Sequence, residues 1–474
     1  MSTLQSNNSS KHYAYRWLAL AIILLPTLLI SLNTYMIQIA LPNIQNDLHA
    51  SFSRAQLIFS GYSIGLATAL IIGGKLGDIY GRKKLLWIGV FFFTLTSFVG
   101  GMLSDPLLII GVRIVQGFAA AFIQPQILSI IQDIFPSKEK NLAFGLYGAV
   151  IGIAFTFGLI LGGLLVSLNL FNGGWRIVFF FNVPFGILVL LLLPIIPEST
   201  VVKNNNIDWM GAILLMFSIL FFIYPLSEGQ TYGWQPWFFG CIILSCVMLA
   251  SFIFVEKSKQ KKHQTPLVDL SLFKHRSFVI GIVSVLSIYL SMFSFFFILS
   301  YFIQFGLQYN TKETSLIFLP IGIGFFFTSI LSSKIVHLFG LIVLKIGALT
   351  MSICIFILIG ILAFEPYNLF TIYTLVLLFV YGLGLGLATT PLANAILSKI
   401  PKNQVGVASG VFTTIMYLAN SLAVAGISIV FSTALNTTLD KASFVHAFST
   451  SLFGIGLLSV MSFVILSIYH KSKN

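Results

Sequence analysis

Gly73-Gly74-Lys75-Leu76-Gly77-Asp78-Ile79-Tyr80-Gly81-Arg82-Lys83-Lys84 is the stretch on which the fold of this chain turns. An apolar run lies on each side of it, about 54–74 and about 84–104, and each is long enough to cross a hydrocarbon core, which takes about 20 residues. The segment between them is short, charged and rich in glycine. Its glycines permit a tight turn and a close approach of two helices. Its charges cannot enter lipid, so the chain turns back at a membrane surface. Asp78 stands one helical turn before Arg82 and can pair with it, or with a helix N-terminus across an interface.

The same pattern repeats outward in both directions. The chain has 474 residues, of which 57% are hydrophobic and 8% charged. An ordinary soluble domain carries roughly 25% charged residues. Mean hydropathy is +0.99, which excludes a soluble enzyme, a disordered chain and a secreted disulfide scaffold. Fourteen apolar runs can be read, about 17–41, 54–74, 84–104, 106–131, 143–166, 175–196, 208–227, 235–255, 277–305, 314–334, 342–364, 367–396, 405–431 and 445–469. The first is too long for a signal-peptide core and is expected to stay. The Asn/Ser-rich residues 1–10 read as a disordered tail.

Charge orients these spans. With the N-terminus inside, 21 of the 26 Lys and Arg fall on the cytoplasmic side, and only Arg54, Arg176, Lys312 and Lys441 fall outside. Arg113 is left within a span. This asymmetry predicts fourteen spans with both ends cytoplasmic. The net charge of +13 therefore reflects topology rather than a nucleic-acid surface, so no nucleic-acid partner is expected. The basic segment 257–276 reads as a cytoplasmic loop held at an anionic leaflet. No GxxxxGK[ST] is present, so ATP is not the evident energy source. Cys241, Cys246 and Cys354 lie in apolar runs without His partners and read as buried small hydrophobes, so no metal or cofactor is expected.

An internal repeat sets the architecture. Ser333-Lys334-Ile335-Val336-His337-Leu338-Phe339-Gly340 echoes residues 74–81, and the segment 401–410 echoes 136–145 in its Pro, Ala and Gly. Span two thus matches span ten, and span five matches span thirteen. That offset of eight predicts an all-α membrane protein of two six-helix bundles plus two extra central helices. Its expected parts are a cytoplasmic tail 1–16, an N-terminal bundle 17–197, two additional helices 198–256, the basic loop 257–276 and a C-terminal bundle 277–474. Parallel repeats of this kind suit alternating access, with a substrate site between the halves near the midplane.

With these motifs the chain resembles the major facilitator superfamily, in its fourteen-helix drug:proton antiporter branch. The resemblance covers nearly the whole chain. It implies that Gly73, Gly77, Asp78, Gly81 and Arg82 form a conformational latch; a plain topological charge cluster is the other reading. Gly111-Val112-Arg113-Ile114-Val115-Gln116-Gly117 resembles the family's Arg-x-x-Gln-Gly element. Arg113 is the lone charge well inside a span, and such an Arg costs at least ~2.5 kcal/mol unless paired or wet. Arg113, Gln116 and Gln124 can share one polar face. Two readings stand: an Arg facing the cavity, or an Arg satisfied by backbone carbonyls and amides that ties spans one and four together.

Span five resembles the antiporter signature in part. Gly148, Gly152, Gly158, Gly162 and Gly163 form small-xxx-small pairs suited to close packing, but Leu159 stands where the family usually has Pro. In span one, Leu32-Asn33-Thr34-Tyr35-Met36-Ile37-Gln38-Ile39-Ala40-Leu41-Pro42, the ending follows the family, yet Asn33 replaces an embedded acid. Asn33 cannot titrate, and it can accept a hydrogen bond from Arg113. Tyr289, Ser294, Asn394 and Asn420 are candidates for the second half of the site, with helix-facing roles equally open.

None of the 13 acids falls at mid-membrane, so protons are a partner by resemblance alone. The expectation is a monomeric secondary exporter of small amphiphilic, drug-like compounds in the bacterial plasma membrane, working by alternating access. The one buried ion is positive, which favours neutral, zwitterionic or anionic substrates. A dedicated exporter of an acidic metabolite such as a siderophore is the second reading. A channel or transport-inactive sensor is the reading from another class. No nucleophile–base spacing suggests an enzyme.

Overall fold

The computed structural model describes residues 15–169, 173–196, 198, 208–229, 232–262, 266–398, 400, 405–435 and 440–471. The expected tail at 1–10 and the echo at Pro401-Lys402-Asn403-Gln404 lie outside these. Among the described residues every regular element is helical, and fourteen helices are long and apolar enough to cross a membrane.

The first seven are α1 (Arg16–Asp47), α2 (Phe52–Tyr80), α3 (Arg82–Met102), α4 (Pro106–Ile134), α5 (Ser137–Leu168), α6 (Arg176–Ile195) and α7 (Trp209–Glu228). The rest are α8 (Pro236–Lys261), α9 (Arg276–Gly306), α10 (Thr311–Phe339), α11 (Ile342–Phe364), α12 (Ile372–Leu397), α13 (Val405–Ala434) and α14 (Lys441–Lys471). They form two six-helix bundles, α1–α6 and α9–α14, with α7 and α8 as the extra pair. Alternate helices begin at one end of the bundle, which carries Arg16, Lys75, Arg82, Lys83, Lys84 and most other cations. This is called the basic end below.

Lipid tails are as apolar as Leu, so helices here associate through close packing rather than by escaping water. Glycines set the approach. A Cβ on Gly65 would lie 2.2 Å from the Ile114 carbonyl oxygen, and one on Gly117 would lie 2.1 Å from that of Tyr62, so α2 and α4 touch backbone to backbone. Pro125 offers no N–H to the Ala121 carbonyl, and a Cβ on Gly73 would sit 2.3 Å from that oxygen. On α5, Cβ atoms at Gly158 and Gly162 would come within 2.9 Å of Tyr35 and 2.8 Å of Met36 on α1. Gly163 faces α10, where a Cβ would lie 2.5 Å from the Thr311 carbonyl oxygen. Gly152 meets only ordinary contacts with Phe325 and Ser329, and Gly148 faces open space. Sequence spacing put Gly148 in the packing stripe, but no neighbour reaches it here. α5 is continuous through Leu159, with no proline inside it.

Large apolar side chains such as Phe254, Leu338, Phe364 and Ile372 cover the outside of the bundle, where lipid accommodates them. The segment after α8, read from the sequence as a basic loop at an anionic leaflet, is also packed on the protein. Its Leu267, Val268 and Leu272 are buried, because they cap the basic ends of α7, α8 and α9 as part of the core.

Candidate functional site

The two bundles meet along α5–α10 and α2–α13. Away from the basic end they are tied by hydrogen bonds. Tyr301 donates to Gln45 Oε1 at 2.6 Å, Thr311 to Asn43 Oδ1 at 2.6 Å, and Gln304 Nε2 to the Ile39 carbonyl at 3.1 Å. Pro42 frees the carbonyl of Gln38, and Ser300 donates to it from α9 at 3.5 Å. Deeper in, Ser315 donates to the Leu159 carbonyl and Thr156 to that of Gly322. On the basic side of this level the α5–α10 seam opens: Gly152 still touches α10, whereas Gly148 and Gly145, on the same stripe, have nothing within 4 Å.

Inside the bundles runs a polar and aromatic layer. Arg113 is completely buried. Its Nε donates to the Ile58 carbonyl at 3.0 Å and its Nη1 to Gln116 Oε1 at 2.6 Å, while its Cζ lies 4.6 Å from the centre of the Tyr62 ring. Gln116 passes the chain on, donating to Ser97 Oγ at 2.8 Å. The guanidinium therefore joins α4 to α2 and, through Gln116, to α3. The expected partner Asn33 is engaged elsewhere: its Oδ1 accepts from Asn182 Nδ2 at 3.2 Å. The α2 backbone passes closer to the fork of Arg113 because glycines draw α2 onto α4. The pairing of spans one and four expected through Arg113 is thus replaced by one of α2 and α4.

Gln124 crosses between the bundles, its Nε2 donating to the Tyr417 hydroxyl at 3.0 Å. Around Tyr417 gather Tyr35, Tyr62, Tyr147 and Tyr289, each within electrostatic reach of its hydroxyl. These five rings come from α1, α2, α5, α9 and α13. A second set of rings spans the seam: Tyr35 packs edge-on to Phe155 at 4.9 Å, and Phe155 meets Phe296 at 5.4 Å and Phe325 at 4.5 Å.

Several buried polar atoms of this layer have no partner among the described residues: Asn33 Nδ2, both amide atoms of Gln38 and of Asn420, Arg113 Nη2 and Gln124 Oε1. Each such atom costs about 1–3 kcal/mol if left dry. Of these, Gln124 stands where the bundles meet, beside Tyr417, and such an atom marks a place that water or a ligand completes. Ser294 is buried and donates to the Ala423 carbonyl. Asn394 is exposed, near the basic end of α12 rather than at its centre, because the helix breaks at Thr390-Pro391. Sequence reasoning passed over Asn182, Tyr417 and Gln38. Asn182 was detectable as a lone amide in an apolar run, and Gln38 as the carbonyl that Pro42 frees.

The glycine segment between α2 and α3 closes on itself within the first bundle. Gly81 turns with φ 100°, a backbone angle that favours glycine. Arg82 pairs with Asp78 at 3.0 Å, with Asp133 at the end of α4, and with the Ser129 carbonyl at 3.2 Å. Gly77 makes room for Gln126, whose Nε2 donates to the Gly73 carbonyl at 2.8 Å.

The sequence matches the family model described as the Major Facilitator Superfamily over residues 23–209 and 208–424. The chain belongs to the major facilitator superfamily. It is 30% identical over 421 residues to the probable actinorhodin transporter of Streptomyces coelicolor, covering 88% of this chain and 73% of that one. It is 28% identical over 419 residues to the puromycin resistance protein of Streptomyces alboniger, covering 86% and 80%. A crystal structure of a D-xylose–proton symporter superposes with a TM-score of 0.67 at 18% identity, over 96% of this chain and 97% of that one; this likeness bears on the fold. The facilitator chain is a secondary transporter, a multi-pass protein of the bacterial inner membrane, and not an enzyme.

Proposed function

We propose that this transporter exports small amphiphilic, drug-like compounds by alternating access, with the proton gradient as its driving force and with the basic end in the cytoplasm. The tail 1–16, bundle 17–197, helix pair 198–256, loop 257–276 and bundle 277–474 are its working parts. The observation that carries the reading is the group of five tyrosines from both bundles around Tyr417, with Gln124 bonded to it across the seam and its Oε1 left unpartnered among the described residues. An amphiphile would stack on the rings and complete the stranded donors and acceptors. Relatives named as antibiotic transporters and resistance proteins support the substrate class. The bonds at the far end and the open seam at Gly148 suit a state facing the cytoplasm. In this reading Arg113, Gln116, Gln124, Asn33, Tyr289 and Asn420 serve the substrate layer, and the Asp78–Arg82–Asp133 group is the latch.

A second reading, a dedicated exporter of an acidic metabolite, draws on Arg113 as the buried cation. Purified protein in proteoliposomes tests both: counterflow of labelled compound and substrate-dependent proton movement are measured over cationic, neutral and anionic amphiphiles. Saturable exchange with proton movement supports the exporter. Saturable exchange confined to anions favours the second reading, and absence of saturable exchange for all classes overturns both.

A further inference from the structure

Two acids that the transport reading does not use lie together at the basic end of the extra helices. Asp208 caps α7 and accepts from the Gly211 amide at 2.7 Å, while its Oδ1 pairs with Lys259 at 2.5 Å. Glu256 is completely buried on α8, and its Oε2 accepts from the Val268 amide at 2.9 Å. The remaining oxygens, Asp208 Oδ2 and Glu256 Oε1, are buried with no separate donor among the described residues. Both lie over Gly211: a Cβ there would be 2.8 Å from one and 2.6 Å from the other. Two acceptors so placed cannot both be ionised cheaply; one proton between them turns the clash into a hydrogen bond. Burial works against charge on Asp208, but hydrogen bonds from Glu256, Lys259 and the Gly211 amide outweigh it and hold its carboxyl below the usual aspartate range. Asp208 is thus the anion and Glu256 carries the proton.

The surroundings say what loss of that proton would do. Among the described residues the cations that bear on the pair are Lys259 of α8 and Lys75 of α2. The segment before α9 contributes the Val268 amide and the Pro266 carbonyl, and its Asp269 is turned to Gln260. With the proton present the pair carries one negative charge, which Lys259 balances, and Lys75 donates to the neutral Pro266 carbonyl. Without it the pair carries two, and the second calls for Lys75. Lys75 lies one helical turn from Asp78, in the segment that holds the latch.

We propose that Asp208 and Glu256 form a one-proton site that links cytoplasmic pH to the basic end of α2 through Lys75. The step is a simple ionisation: the Glu256 O–H bond breaks, its electrons stay on the carboxylate, and the proton passes to water at the basic face. Lys75 then exchanges the Pro266 carbonyl for the carboxylate and draws α2 toward α8. The proposal concerns regulation of the proposed exporter and rests on that reading, but neither measurement below needs transport.

Infrared spectra of the full chain, taken across neutral pH, read the proton directly. A buried carboxylic-acid carbonyl band is expected, lost in Glu256→Gln and kept in Glu139→Gln; a band unchanged in Glu256→Gln overturns the site. Glu256→Gln keeps the size and both hydrogen bonds, so it mimics the protonated state without leaving a cavity. Spin labels at positions 84 and 334, in a chain without its three cysteines, report the separation of the bundles at the basic end. The wild-type distance distribution is expected to change across neutral pH and that of Glu256→Gln to stay fixed. The same pH response in both would overturn the link to α2. Gly211→Ala, which crowds the pair apart, is expected to weaken the band as a second check.

Discussion

At the level of single residues, Arg113 shows how lipid changes the worth of a side chain. Three of its contacts are to groups that cannot lose their polarity: a backbone carbonyl, an amide and an aromatic face. Arg113→Gln removes the fork and strands the Ile58 carbonyl and Gln116, so thermal stability should fall by about 1–3 kcal/mol. In proteoliposomes it should lower uptake of anionic compounds more than that of neutral dyes; an equal loss of both would assign Arg113 to structure alone. Asn33→Asp makes a complementary case. The carboxylate can keep its bond from Asn182, and it adds a negative charge to a buried layer whose one ion is Arg113. Export of organic cations should rise relative to anions, as measured by competition assays. The Arg16–Glu139 pair is of another kind. Its hydrogen bond from Arg16 holds the Glu139 carboxyl below the usual range. A lowered pKa means a contribution present at neutral pH and lost only as pH falls through the depressed value. Glu139→Gln should therefore leave any pH response near neutrality unchanged.

At the level of helices, α5 carries two kinds of glycine that sequence spacing alone cannot separate. Gly158 and Gly162 are pressed against α1, whereas Gly148 has no neighbour on the open side of the seam. Gly158→Leu should impair folding, read as a lower melting temperature, because overpacking a close helix pair costs about 1–3 kcal/mol or more. Gly148→Trp should leave the melting temperature of this state nearly unchanged yet abolish exchange across the membrane, since the seam must close there in the opposite state. A Gly148→Trp chain that transports normally would show that this seam stays open throughout the cycle. The same helix shows what Leu159 does in place of a proline: it keeps the backbone N–H that a proline would lack, and its carbonyl accepts from Ser315 of the other bundle.

For the molecule as a whole, the balance between its two openings rests on a few bonds. Tyr301 to Gln45, Thr311 to Asn43 and Gln304 to Ile39 close the end away from the cations. Each is worth about 0.5–1.5 kcal/mol, so losing two of them shifts a two-state population by about fivefold to a hundredfold. The double variant Tyr301→Phe, Thr311→Ala should shift spin-label distances at that end toward a wider state. No change would mean that ring packing between Phe52, Phe297 and Tyr301 holds the closure instead.

The sequence by itself determined the number of spans, the basic end and the two-bundle plan. Those follow from local rules: the length of apolar runs, the cost of moving charge through lipid, and the register of a repeat. It also singled out Arg113 and the glycine segment, because a charge or a glycine cluster stands out in an apolar chain. Tertiary structure alone decided partners. Asn33 turned to Asn182 rather than to Arg113, Asn394 fell outside the layer, and Tyr417 and the Asp208–Glu256 pair emerged from residues far apart in the chain. Hydrogen bonds between helices depend on how each helix is rotated and how closely glycines let it approach, and neither quantity is encoded in the run of residues along one span.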